Sequence, residues 1–144
     1  MKILLAVDGS ACSQAAVEAV ARRPWPPEST VKVLTAVEPG YVPPLDTWAL
    51  PDNYYQLAEE SGLRQAQAVV ANAAERLREN KLAVAVEVLP GHAREVILHE
   101  AETWQPDLLV VGSHGYNGWQ RFWLGSVSQA IVAQAPCSVE IVRE

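Results

Sequence analysis

The sequence has few of the features that mark secreted, membrane-spanning or nucleic-acid-binding proteins. Only two of its 144 residues are cysteines, Cys12 and Cys137, which is too few for a disulfide framework. No apolar run approaches the ~18–20 residues that a membrane-spanning helix requires. The formal net charge is −6 and the lysines and arginines do not cluster, which disfavours binding to the many phosphates of a nucleic acid. These shortages predict a soluble protein with reduced cysteines and with neither a membrane nor a nucleic acid as its partner.

The amino-terminal segment also lacks the features of a secretory signal. The apolar stretch after Lys2 ends at Val7, which makes it shorter than the ~7–15 residues of a signal-peptide core, and no small-residue cleavage site follows it. We therefore expect a cytoplasmic location. The length fits one domain, and because the sequence contains neither a linker nor an internal repeat, we expect that domain to cover residues 1–144.

Segments with strand chemistry alternate with helical patterns along the chain. The predicted strands are residues 2–7, 31–37, 82–88, 107–111 and 137–143. The predicted helices are a first one that Ser10 caps and that ends near Arg23, a long second one that ends near Asn80, and two more over 93–104 and 126–135. This alternation predicts an α/β fold with an open five-stranded parallel sheet, right-handed crossovers and helices on both faces. The third and fifth strands alternate more in polarity, so we expect them nearer the edges.

Glycines recur in the segment that follows the fourth predicted strand. Gly112 and Gly115 are separated by two residues, nine more precede Gly125, and Ser126 follows directly. Glycine lets backbone amides approach an anion closely, and the start of the next helix offers free amides and partial positive charge. The alternative is that these glycines only permit tight turns and that Ser126 caps a helix. The spacing by itself leaves both interpretations open.

A second candidate turn contains Asp8 and follows the first predicted strand. Ligands of doubly wound sheets bind beyond the carboxyl ends of the strands where the strand order reverses, so the two turns share one crevice if the first and fourth strands are neighbours. Asp8 would then bond a ribose hydroxyl or an adenine edge, or hold a divalent cation. Ser126 and Ser128 could add hydroxyl bonds to a phosphate. His114 is either a phosphate donor or a loop histidine without a function.

Signatures of dedicated nucleotide enzymes are missing from the sequence. It contains no Gly-x4-Gly-Lys-Ser/Thr loop, no Gly-x-Gly-x-x-Gly turn and no Gly-x-Ser-x-Gly elbow, and no residue stands out as a base for ATP hydrolysis. The first hypothesis is therefore a nucleotide-binding regulator with at most slow ATP turnover. One alternative is an ATPase or adenylyl-transferring enzyme on the same sheet. The other is a dimeric scaffold that binds no nucleotide.

The glycine pattern Gly112-x2-Gly115-x9-Gly125-Ser126 resembles the nucleotide-binding signature of the universal stress protein family, in the complete form associated with its ATP-binding branch. Segments 3–10, 90–93, 106–115 and 135–139 also resemble family signatures. The resemblance implies a Rossmann-like sheet of strand order 3-2-1-4-5 and a stress-response function. It also implies that ATP or another adenine nucleotide lies between strands 1 and 4, accompanied by Mg²⁺ or Mn²⁺, and that the fifth strand joins a homodimer.

The same resemblance implies which residues bind the nucleotide. Adenine and ribose would be lined by Ala6, Val7, Asp8 and Ala36, with Val111 and Gly112 under the sugar. The phosphates would be held, chiefly through backbone amides, by Gly115, Gly125, Ser126 and Val127. The complete expected set also includes Ser113, His114 and Ser128.

Two features depart from the family pattern. Thr35 stands where the family often has a histidine near the end of strand 2, which leaves the edge of the adenine pocket open. The nine residues between the last two motif glycines include Trp119, Arg121, Phe122 and Trp123. The aromatic side chains of this Trp-rich insert could pack in the core, cover the nucleotide as a lid or contact a protein partner. The proline-rich stretch over 38–53 is a candidate for a lid or an interaction loop.

Overall fold

A computed structural model of the protein describes residues 1–38, 53–115 and 124–144. The elements in these ranges are β1 (Lys2–Ala6), α1 (Ala11–Arg22), β2 (Thr30–Val37), α2 (Tyr54–Glu79), β3 (Ala83–Pro90), α3 (Ala93–Trp104), β4 (Leu108–Gly112), α4 (Ser126–Gln134) and β5 (Ser138–Val142). The predicted alternation of strands and helices is confirmed. No helix in these ranges combines the length and the apolar character that crossing a membrane would require.

The five strands form one parallel sheet in the order β3-β2-β1-β4-β5. This is the predicted order, and β3 and β5 lie at the edges as their sequence pattern indicates. The chain first extends the sheet from β1 towards β3 and then returns to the other side of β1 with β4. The strand order therefore reverses between β1 and β4, which is where doubly wound sheets bind ligands.

Side chains of the central strands point alternately to two apolar layers. Ile3 and Leu5 of β1 face α1 and α2, whereas Leu4 faces α3 and α4. Both layers exclude water from these strands, because Ile3, Leu4 and Leu5 are all 0% exposed. Burial on both faces explains why β1, β2 and β4 are nearly continuous in apolar residues. It also leaves the carboxyl ends of these strands as the place where polar side chains and turns meet.

The second helix buries only part of the face that the spacing of its apolar residues indicates. Its apolar face is buried from Ala66 through Val70 to Leu77, but Leu63, which the spacing places on the same face, is 43% exposed. The helix begins at Tyr54, and most of its residues before Ala66 are exposed. Spacing alone does not reveal where a long helix first meets the sheet.

An ion pair joins the end of α1 to the edge strand β5. The guanidinium of Arg23 donates hydrogen bonds from Nη1 and Nη2 to the two carboxylate oxygens of Glu140, each at 2.7 Å. This hydrogen bonding lowers the pKa of Glu140. A carboxyl with a lowered pKa in the folded state stabilises the fold above its unfolded pKa of about 4.3, and this stability is lost as the pH falls through the folded pKa.

We expect Glu140→Gln to flatten the acid-side fall in the free energy of unfolding. The parent protein should lose this contribution below about pH 4.5, whereas the variant has no carboxyl at this position to protonate. Urea denaturation between about pH 3 and pH 7 measures the difference. Glu102→Gln, at an exposed position of α3, is the control. Equal acid-side slopes in the Glu140→Gln variant and the parent would contradict the prediction.

Candidate nucleotide site

A cleft opens at the carboxyl edge of the sheet, between the ends of β1 and β4. Its lining residues are Ala6, Val7, Asp8, Ser13, Leu34, Thr35, Ala36, Ala93, Ile97, Val111, Gly112, His114, Gly115 and Val127. They come from the ends of three neighbouring strands and from the beginnings of α1, α3 and α4. The cleft thus lies at the reversal of strand order, where both candidate turns meet.

Nine of the thirteen residues predicted to bind a nucleotide line this cleft. They are Ala6, Val7, Asp8, Ala36, Val111, Gly112, His114, Gly115 and Val127. The other four lie around the turn from Gly112 to Gly115 at the end of β4, which we call the glycine turn. Ser113 and Ser128 are buried behind it, at 2% and 4% exposure, and Gly125 and Ser126 form the start of α4.

The turn after β1 is held by its own polar groups. The backbone amide of Ser10 donates to Oδ1 of Asp8 at 2.9 Å, and the amide of Asp8 donates to Oγ of Ser13 at 3.2 Å. Gly9 has a φ of 84°, in the left-handed region that favours glycine. The first of these bonds places the Asp8 carboxylate at the mouth of the cleft.

The Asp8 carboxylate faces the glycine turn across the cleft. A Cβ atom built on Gly115 would lie 2.7 Å from Oδ2 of Asp8. A side chain at position 115 would therefore displace the carboxylate. The two turns, separated by about one hundred residues in the sequence, are in direct contact at this point.

Gly112 has a packing function as well. A Cβ atom on this residue would lie 2.8 Å from the carbonyl carbon of Cys12 and 2.9 Å from the amide nitrogen of Ser13. Both atoms belong to the backbone of the first turn of α1. The absence of a side chain thus allows the end of β4 to pack directly against α1.

The carbonyl groups at the start of the glycine turn are bound on the side of α4. The hydroxyl of Ser128 donates to the carbonyl oxygens of Gly112 and Ser113, at 2.9 and 3.1 Å. The amide of Gly125 also donates to the carbonyl of Ser113, at 2.9 Å. These bonds dock the start of α4 onto the turn.

The next carbonyl, that of His114, accepts a hydrogen bond from Oγ of Ser10 at 3.3 Å. In a planar trans peptide the carbonyl and the following amide point in opposite directions. The amides of His114 and Gly115 therefore point away from the groups that bind the carbonyls of Ser113 and His114. Neither amide has an acceptor within the described parts of the chain.

The start of α4 adds further free amides. Its N-cap residue is Gly125, which has no side chain to accept a bond from the first turn. The amides of Ser126, Val127 and Ser128 have no partner inside the helix, and none among the residues that the structure covers. We call these three amides and those of His114 and Gly115 the amide cradle. Such a group, with the helix dipole behind it, attracts anions.

The opposite end of the cleft is formed by β2, which extends past the end of β1. The amide of Val7 donates to the carbonyl of Leu34, and the amide of Gly91 donates to the carbonyl of Val37, both at 2.9 Å. Successive residues of a strand direct their backbone polar groups to opposite sides. The amide and carbonyl of Ala36 therefore face the β1 side, like those of Leu34. In the described residues they have no partner.

Several lining residues were not predicted from the sequence. Leu34, Ala93 and Ile97 form an apolar wall near Ala36, and Ser13 lines the floor beside Asp8. The signal that places Leu34 is the register of β1 with β2, which a single sequence does not reveal. Thr35, noted only as a departure from the family pattern, is also part of the lining.

Among the described residues that line this cleft, positive charge comes from backbone groups. Neither a lysine nor an arginine is among them. In the parts of the chain that are described, no three or more His, Cys, Asp and Glu side chains come together in a way that could hold a metal ion. Asp8 is the carboxylate in the lining. The predicted Trp-rich insert with Trp119, Arg121, Phe122 and Trp123, and residues 39–52 of the proline-rich stretch, lie outside the described residues.

Comparison with known proteins agrees with this architecture. A sequence model described as the universal stress protein family matches residues 1–143. A universal stress protein of Thermus aquaticus is 33% identical over 144 residues, which cover 98% of this chain and 97% of the relative. The structure of the universal stress protein UspA from Lactobacillus plantarum has a TM-score of 0.80 and 25% identity and covers 99% of this chain and 97% of its own. An Arabidopsis thaliana family member, solved with AMP bound, has a TM-score of 0.71 and 19% identity over 100% of this chain and 92% of its own.

Proposed function

The chain belongs to the universal stress protein family, and we propose that it binds ATP, or another adenine nucleotide, in the cleft between β1 and β4 and acts as a nucleotide-dependent regulator. The observation that carries the proposal is the amide cradle at His114, Gly115 and the first turn of α4. The AMP held by the Arabidopsis family member supports the choice of an adenine nucleotide.

The phosphates would bind at the cradle. Backbone amides donate hydrogen bonds to phosphate oxygens without the flexibility of a lysine, and the α4 dipole adds favourable potential. Asp8 brings a negative charge to the same end, because its Oδ2 faces Gly115. Carboxylate and phosphate oxygens are the ligands that Mg²⁺ takes in nucleotide sites. Asp8 would thus hold Mg²⁺ or Mn²⁺, whose charge would offset that of the phosphates.

The base would bind at Ala36. Its free amide is a donor and its free carbonyl is an acceptor, both on the side of β1. The pairing edge of adenine offers the complement, a ring nitrogen that accepts and an amino group that donates. Hypoxanthine, the base of ITP, has a ring N–H and a carbonyl oxygen at the same positions. The amide of Ala36 would then face another donor, and its carbonyl would face another acceptor. The apolar wall of Leu34, Ala93 and Ile97 suits a flat ring.

We therefore expect ATP to bind at least about tenfold more tightly than ITP, because a mismatched hydrogen-bonding edge leaves buried polar groups unpaired. Isothermal titration calorimetry with each nucleotide and Mg²⁺ measures the ratio. ITP is a matched control, since its sugar and triphosphate are those of ATP. Equal affinities would show that Ala36 does not read the base, and binding of neither nucleotide would refute the proposed site itself.

Regulation, with at most slow hydrolysis, fits the chemistry of the lining better than rapid catalysis. Within the described lining, Asp8 and His114 are the residues with ionisable side chains. Nδ1 of His114 lies 3.1 Å from Oγ of Ser113, in the wall of the turn. To act as a regulator, the protein must have two conformations that bind the nucleotide with different affinities.

Mass spectrometry of ligand released from the purified protein identifies the nucleotide directly.

The proposal includes a homodimer joined by β5. This strand is at the edge of the sheet, so the outer side of its backbone is open to pairing. Its residues from Val139 to Val142 are half-buried, and the ion pair between Arg23 and Glu140 holds the strand in place. Light scattering coupled to size exclusion reports the mass in solution.

A further inference from the structure

Ser128 is the third residue of α4, and its hydroxyl points into the protein. The residue is 4% exposed, and its Oγ lies 2.9 Å from the carbonyl oxygen of Gly112 and 3.1 Å from that of Ser113. A hydroxyl has one proton to donate, and here that proton is shared by two carbonyls. In this structure the hydroxyl proton of Ser128 is therefore bonded to the glycine turn and is not available to a ligand.

These bonds connect two segments that the sequence separates. Gly112 ends β4 and Ser113 follows it. Gly125 is the N-cap of α4, Ser128 lies in the first turn of that helix, and residues 116–123 separate the two segments. The amide of Gly125 adds a third bond, to the carbonyl of Ser113 at 2.9 Å. Together the three bonds hold the first turn of α4 against the glycine turn, so the two segments that supply the amide cradle are packed together.

We infer that Ser128 is a positioning residue for phosphate binding, which acts by fixing the orientation of the amide cradle instead of by bonding the phosphate. Its hydroxyl holds the carbonyl of Ser113, and the amide of the same peptide unit, that of His114, is thereby fixed in the opposite direction. It also anchors the first turn of α4, which supplies the other three amides. Charge-assisted bonds to an anion depend strongly on donor direction, so this orientation sets the affinity.

If Ser128 positions the phosphate-binding amides, its substitution should affect ligands with and without phosphates differently. A general loss of stability would weaken the binding of both. The base end of the cleft, at Ala36, lies on β2 and makes no contact with Ser128 among the hydrogen bonds described above. Loss of the hydroxyl should weaken binding of a ligand that carries phosphates and leave a nucleoside unaffected. ATP and adenosine form the corresponding pair of probes. The inference rests on the proposed nucleotide site.

We expect Ser128→Ala to weaken ATP binding about tenfold, the equivalent of roughly one hydrogen bond, and to leave the affinity for adenosine unchanged. Calorimetry with both probes, in the presence of Mg²⁺, measures the split. Ser29→Ala is the matched control, because Ser29 is also a buried serine and its hydroxyl donates to the carbonyl of Pro26 at 2.7 Å. It lies at the amino end of β2, so its loss should leave both affinities unchanged.

The outcomes separate this inference from the proposed function. A parent protein that binds neither ATP nor adenosine refutes the nucleotide site. If the parent binds both, an unchanged ATP affinity in Ser128→Ala, or an equal loss for ATP and adenosine, overturns the positioning role. Ser128→Cys keeps the shape of the side chain with a weaker donor. The same split is expected of it, and it replaces the alanine variant if that variant does not fold.

Discussion

A Gly112→Ala variant is expected to have a free energy of unfolding about 2–3 kcal/mol lower than that of the parent protein, as for other overpacked sites. The new Cβ would lie 2.8 Å from the carbonyl carbon of Cys12 and 2.9 Å from the amide nitrogen of Ser13. Both are backbone atoms of α1, so no side-chain rotation relieves the contact. The helix must move away from β4 instead. Urea denaturation monitored by circular dichroism measures the loss.

The matched control is Gly115→Ala. Its Cβ would meet Oδ2 of Asp8 at 2.7 Å, which is the far end of a side chain that can rotate. We expect a stability loss below about 1 kcal/mol, together with a displaced carboxylate at the cleft. If both variants unfold at the same urea concentration as the parent, the close packing of β4 on α1 does not contribute to stability as described.

A Ser126→Asp variant is expected to bind ATP about a hundredfold more weakly while folding as well as the parent protein. Ser126 is exposed and is the first residue of α4, where a carboxylate stabilises the helix by roughly 0.3–1 kcal/mol. The same carboxylate would accept bonds from the amide cradle and repel phosphate. At a separation of about 5 Å and an effective dielectric constant of roughly 20–40, the repulsion is about 2–3 kcal/mol. Calorimetry and thermal unfolding of the same samples measure the two opposite effects.

Ser126→Asn separates charge from shape. The asparagine side chain has nearly the same form as aspartate and also suits a helix start, but it carries no charge. We expect it to change ATP affinity by no more than about threefold, since it exchanges one neutral polar side chain for another. The deficit of the aspartate variant should shrink as salt is added. An equal loss in both variants would contradict an electrostatic cause.

The fold could be predicted from the sequence because each element carries a local signal. The third helix, Ala93–Trp104, was predicted with these bounds, and the strand order follows the resemblance to the family. The start of α2 was not predicted. Its first turns include Tyr55 and Leu57, which are 49% and 50% exposed, so no apolar stripe marks them. The helix there continues without a buried face, and periodicity gives no signal in that case.

The site could be predicted only in part, and the reasons are geometric. The glycine spacing indicated the turn, because glycine is favoured where the backbone turns tightly or another segment approaches closely. The direction of a side chain, in contrast, depends on which segment packs against it, and a single sequence does not reveal that. The Ser128 hydroxyl was therefore expected at the phosphate and is found bonded to Gly112 and Ser113. The wall formed by Ala93 and Ile97 likewise follows from the position of α3 on the sheet, which no spacing within α3 encodes.

The pairing of β1 with β4 also determines when the cleft can form. Ile3 pairs with Leu108, so the chain must close a loop of roughly one hundred residues before the two turns meet. Contacts of such long range form late in folding because the loop must be closed before they stabilise anything. If the proposed function holds, a nucleotide would find no binding site on the partly folded chain. It would bind the finished protein and slow unfolding without accelerating folding.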